Sequence, residues 1–206
     1  MMQRKTMTTL VAGLLAAAGI STAVAMQRSD TSRSHDEAQA QRHAEMFQGV
    51  QYGTAVLHPT EENDVRGEVY LREEQGQVTI TARVEGLEPD STHGIHIHEY
   101  GDCTAADATS AGGHYNPEDH PHALPPEQPR HAGDLGNLVA DNEGVAEYEI
   151  TVENISIAGL ENPVIGRAVI VHASEDTGAQ PTGEAGARLA CGVIGLGNPE
   201  NDFWQE

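Results

Sequence analysis

The chain has 206 residues, of which 32 are acidic and 11 basic, and its formal charge at pH 7 is −21. Nucleic acid is excluded as a partner, because phosphate-backbone binding draws on clustered Lys and Arg that release counterions. Lys5 is the only lysine, and so acidic a composition fits a salty medium in which screening quenches self-repulsion.

At the N-terminus, Arg4 and Lys5 precede an apolar run from Leu10 to Ile20 and the small-residue motif Ala23-Val24-Ala25. That order predicts a secretory signal peptide over residues 1–25, cut after Ala25, and the apolar run is short for a bilayer span, so no membrane anchor is expected in the mature form. Loss of Arg4 and Lys5 leaves 9 arginines against 32 acids, a charge near −23. Residues 26–47 are polar, lack strand periodicity and read as a flexible leader. Residues 48–198 suffice for one domain with a real core, followed by a C-terminal tail over residues 199–206.

Within that domain, "GTAVLHPT", "VRGEVYLREE", "QVTITARVEGL" and "HGIHIHEYG" alternate apolar and polar residues as strands do, with turn material between them. "NLVADNEGVAEYEITV", "VIGRAVIVHAS" and "LACGVIGLG" supply about four more, with Asp141-Asn142-Glu143-Gly144 predicted to close a hairpin. The expected fold is all-β, an eight-stranded sandwich or flattened barrel. Two long stretches, residues 101–134 and 173–188, do not fit strands, and loops of that length in a compact domain are functional or disordered. Histidine concentrated among backbone-shaping prolines and glycines favours function for the first. Cys103 and Cys191, an even count in an exported chain, favour a disulfide closing a loop of nearly ninety residues.

His96 and His98 lie two apart in a strand and therefore share one face, while Ile95 and Ile97 take the other. Alone, this spacing suits a wet strand face as readily as a chelate. The following loop adds His114, His120, His122, His131 and Asp134, an imidazole-plus-carboxylate set of the kind zinc takes. His172, ending "RAVIVH", is a further candidate.

These segments resemble the copper/zinc superoxide dismutases, of the bacterial secreted type, over about residues 48–197. The resemblance implies a Greek-key, immunoglobulin-like barrel and the conversion of superoxide to dioxygen and hydrogen peroxide, with one copper and one zinc ion per subunit. "GIHIHEYGD" and "GGHYNP" imply copper roles for His96, His98 and His114, with His114 bridging to zinc; "VIVHASED" adds His172 to copper. On the zinc side the family's spacing selects His122 over His120, joined by His131 and Asp134 from "RHAGDLGN". "GARLACGVIG" implies that Arg188 guides the anion and that Cys191 pairs with Cys103. Asp176, four residues after His172, falls where the family keeps a carboxylate linking a copper histidine to a zinc histidine, with Glu175 its neighbour and competitor. His93 is expected to pack rather than bind metal; His35, His43 and His58 read as leader or surface residues, and His120 as a spare. The family implies a periplasmic or extracellular location and leaves open a homodimer, and a non-catalytic copper/zinc-binding module of the same fold is the alternative. Cys103 in "GDCTAAD" and a short, lysine-free segment between His172 and Arg188 depart from the eukaryotic pattern toward the bacterial one.

Overall fold

A computed structural model describes residues 49–201; the predicted signal peptide, the leader over residues 26–47 and the end of the tail lie outside them. Among the described residues nine strands follow in order: β1 (Tyr52–Pro59), β2 (Arg66–Glu74), β3 (Gln77–Glu85), β4 (Thr92–His98), β5 (Asp134–Val139), β6 (Ala146–Val152), β7 (Ala168–His172), β8 (Arg188–Val193) and the two-residue β9 (Gly195–Leu196). They pair antiparallel in the order β5-β4-β7-β8-β1-β2-β3-β6, with β9 added on β1. The eight-stranded barrel is as expected. Among the described residues no helix is long and apolar enough to cross a membrane.

Period-two patterning builds these strands. In β3, Val78, Ile80, Ala82 and Val84 face the core while Gln77, Thr79, Thr81 and Arg83 do not. The barrel closes where its edge strands meet: the Tyr148 hydroxyl of β6 donates to the Leu135 carbonyl of β5.

The predicted hairpin at Asp141–Gly144 does not form. The tight turn is present, with Gly144 N–H donating to Asp141 O, but the strands on either side pair with different partners, β5 with β4 and β6 with β3. The β3–β4 connection accounts for this, since Leu87 N–H donates to Gly144 O, Asp90 N–H to Asp141 O, and Ala140 N–H to Ser91 O. Those bonds hold the turn as a corner that carries the chain from one half of the barrel to the other.

Strands β4 and β7 are buried on both faces. Ile95, Ile97, Val169 and Val171 enter the main core, each side chain worth about 1.5–3 kcal/mol of burial. Their opposite faces lie beneath the two long loops, where Ala168, Ile170 and Cys191 pack on Ala108 and Ala111 of the first loop. The Cys103–Cys191 disulfide, 88 residues apart in sequence with Cα atoms 5.8 Å apart, ties that loop to β8.

Two register shifts aim side chains at this covered face. One lies between Gly94 and His96 opposite β5, where Gly136 takes φ 92, a left-handed conformation that glycine adopts without steric cost. The other, between Val171 and His172, brings Arg188 opposite His172.

Candidate metal centre

Beneath the loops the histidines gather into two groups. Ligand atoms of His96, His98, His114 and His172 lie within 4.8 Å of one another, as do those of His114, His122, His131 and Asp134. His114 belongs to both. All seven residues are buried, none more than 7% exposed. The loop reaches β4 through backbone bonds on either side of His114: Glu99 N–H donates to Gly113 O, and Tyr115 N–H to Ile97 O.

Hydrogen bonding fixes which nitrogen of each ring is free. His98 Nδ1 lies 3.0 Å from Gly112 O and His172 Nδ1 3.2 Å from Gly186 O. A carbonyl only accepts, so both Nδ1 atoms carry the proton and both Nε2 atoms present lone pairs. Those two lone-pair nitrogens nevertheless stand 3.4 Å apart. Burial holds His98 down at about 2, His172 at about 3 and His114 at about 4, so all three are neutral donors at ordinary pH. Neutral imidazoles turned lone pair to lone pair repel each other unless a proton or a cation is shared between them, so this group is shaped to take a cation.

The second group is built around Asp134. Its Oδ1 lies 3.0 Å from His114 Nδ1 and 3.1 Å from His131 Nδ1. Oδ2 accepts from the backbone N–H groups of His131 and Ala123 at 3.1 and 3.2 Å. His122 Nδ1 sits 3.0 Å from the same Oδ2 yet makes no hydrogen bond, so nitrogen and oxygen converge on a shared point rather than on each other. Burial would raise the Asp134 carboxyl, but the His114 and His131 rings bonded to it and the His122 ring beside it hold it far below the usual range. Burial likewise opposes charge on His122, and the two carboxylates beside it, Asp134 and Asp176, outweigh burial and raise the ring to about 9. Three imidazoles and one carboxylate form the donor set of a tetrahedral zinc site.

Asp176 joins the groups. It is fully buried, with Oδ2 accepting from His96 Nε2 at 2.8 Å and Oδ1 from His122 Nε2 at 2.9 Å. With Nε2 committed, His96 Nδ1 is left buried without a hydrogen-bond partner, as His122 Nδ1 is. One orphaned nitrogen therefore points into each group. Such orphans are costly unless something binds them, and an all-imidazole set suits copper in both of its oxidation states. The residues fit both ions.

Arg188, half-buried on β8, donates through Nη1 to Ala108 O and through Nη2 to Gly112 O at 2.5 and 2.6 Å. Gly112 O also accepts from His98, so the guanidinium stands beside the four-histidine group. His93 lies between Ser91 Oγ and His172 O, outside both groups, and His120 turns to Arg130 O at 3.3 Å. Glu175 is exposed, and His58 is exposed on β1. The sequence did not reveal the carbonyls of Gly112 and Gly186, nor Asn137, whose amide binds both backbone groups of Asp176 at 2.8 and 2.9 Å. Contacts to backbone carry no residue signature.

The sequence profile described as copper/zinc superoxide dismutase (SODC) matches residues 65–194. Superoxide dismutase [Cu-Zn] 2 of Brassica juncea is 41% identical over 152 residues, covering 70% of this chain and 97% of that protein. Among solved structures, that of the clock protein EA4 is similar at a TM-score of 0.64 and 36% identity, covering 71% of this chain and 94% of the other. With its barrel, its paired histidine groups and these matches, the chain belongs to the copper/zinc superoxide dismutase family.

Proposed function

We propose that the chain is an exported superoxide dismutase in which His96, His98, His114 and His172 hold copper, and His114, His122, His131 and Asp134 hold zinc. The observation that carries the assignment is the sharing of His114 between two groups that each contain a buried nitrogen without a hydrogen-bond partner.

Bound there, copper supplies one-electron transfer in each direction, by which two superoxide anions and two protons become dioxygen and hydrogen peroxide. Arg188 attracts the anion to the four-histidine group and orients it. Its two bonds to the loop carbonyls fix the guanidinium. His114 presents Nδ1 to Asp134 and His131, which leaves Nε2 as the atom able to take up a proton and pass it to the departing peroxide. His98 and His172 are held in one tautomer by Gly112 O and Gly186 O. Asp176, tied to His96 and His122, keeps the two halves in fixed relation.

Export to the periplasm or the extracellular space is supported by the signal-like residues 1–25 and by the disulfide, which persists in oxidising compartments. The bacterial secreted type is supported by the position of Cys103 and the lysine-free loop before Arg188. Exposed Tyr100, next to Gly101 in the chain, and exposed Val193, which packs against Gly101, favour a homodimer through that face, to be tested by sedimentation. The assignment is tested by metal analysis coupled to a superoxide-consumption assay on the chain and on His172→Ala. Consumption by the parent and loss of copper and activity with zinc retained in the variant are expected. Copper bound to the parent without turnover would make the chain a sequestering module instead.

A further inference from the structure

The loop between β7 and β8 grips His122 at a second place besides Asp176. Gln180 Oε1 accepts from His122 N–H at 3.1 Å, and Gln180 Nε2 donates to His122 O at 2.6 Å. One amide side chain thus satisfies both backbone groups of a residue in the other long loop, as a neighbouring strand would. Its own loop is folded to present it: Thr177 N–H donates to Gly183 O, Gly183 N–H to Ala179 O, and Gly178 N–H to Asp176 Oδ1. Gln180 itself is exposed, and what it holds is the backbone of buried His122. His122 is held at its ring by Asp176 and at its backbone by Gln180, both from one short loop.

From this we infer that Gln180 is a positioning residue that pre-organises the zinc half of the centre, setting zinc affinity while leaving the copper half alone. The inference rests on the reading that His122 holds zinc. The ring of His122 reaches toward the zinc group from a loop whose backbone is held at that point by Gln180; loss of a partner of a ligating side chain costs about 10- to 100-fold in metal affinity, and the lower end of that range is the scale for a partner of its backbone. None of the four copper residues is hydrogen-bonded to Gln180.

Gln180→Met keeps most of the side-chain volume and removes both hydrogen bonds; Gln180→Ala serves if the first variant does not fold. Zinc affinity by chelator competition, copper affinity by the same method, the ligand-field spectrum of cobalt bound in place of zinc, and thermal unfolding of the metal-free chain are measured on parent and variant. The expected result is zinc affinity about ten-fold or more weaker with an altered cobalt spectrum, copper affinity within about two-fold of the parent, and metal-free unfolding lowered by no more than the few degrees that two hydrogen bonds contribute. Unchanged zinc affinity and cobalt spectrum would overturn the inference while leaving the zinc reading intact. Equal losses of zinc and copper affinity with lowered metal-free stability would also overturn it, showing a general structural role. A parent that binds no zinc would overturn both readings.

Discussion

Alanine at Gly183 strikes the carboxylate that links the two histidine groups. Gly183 has φ +78, and a Cβ there would lie 2.0 Å from Asp176 Oδ1 and 2.9 Å from His122 Nε2. Gly76 offers a matched control, with φ +80 and nothing within 4 Å of an added Cβ. A left-handed alanine costs about 1–2 kcal/mol at either place. At Gly183 the carboxylate must also move away, breaking its bonds to His96 and His122 at 2.8 and 2.9 Å. Hydrogen bonds to a charged group are worth about 1.5–3 kcal/mol each, which adds about 3 kcal/mol or more. In a domain of this size 1 kcal/mol is about 2–4 °C, so Gly76→Ala should lower the unfolding temperature of the metal-loaded protein by roughly 2–8 °C, and Gly183→Ala by a further 6 °C at least. Thermal unfolding followed by circular dichroism, with metal content measured in parallel, reads both. If Gly183→Ala matched Gly76→Ala in stability and metal content, the linking role of Asp176 would be refuted.

Three further outcomes follow from the same geometry. Replacing Cys103 and Cys191 by Ser opens the 88-residue loop and should lower stability by about 4–5 kcal/mol in the chain-entropy model, read as a shift of the urea midpoint; an unchanged midpoint would contradict it. In the metal-free chain, His98, His114 and His172 have folded values of about 2, 4 and 3, below the ordinary 6.5, so their contribution is complete above pH 6.5 and lost as pH falls. His122, raised to about 9, contributes below pH 6.5 and loses its contribution as pH rises through 9, so the urea midpoint should be highest near neutral pH and fall on both sides. A midpoint flat from pH 4 to 7 would contradict that. Arg188→Met should slow superoxide consumption about ten-fold or more with both metals retained, and, with no loop lysine to screen, added salt should slow the parent less than it slows a lysine-guided relative; an equally steep decline would contradict the second point.

Alternation made β1 to β4 legible, and it assigned His96 and His98 to one face and Ile95 and Ile97 to the core, as found. The turn at Asp141–Gly144 was legible too, but the pairing of its flanking strands was not, because hydrogen bonds from a segment fifty residues upstream decide it. His120 and His122 sit two apart in one loop, and chemistry alone does not separate them; burial does, since His122 is 2% exposed and meets two carboxylates. Asp176 was implied by the family resemblance, from its place four residues after His172, and its burial separates it from exposed Glu175. Gln180, Asn137 and the carbonyls of Gly112 and Gly186 were missed, because their partners are brought close only when the two loops meet over β4 and β7.

The central claim is that one imidazole, that of His114, serves two ions. Diffraction from crystals of the loaded protein at the copper and zinc absorption edges tests it most directly. Two separate peaks are predicted, copper against His96, His98 and His172, zinc against His122, His131 and Asp134, with one ion on each nitrogen of His114. A single peak, or two peaks of which only one touches His114, would contradict the account.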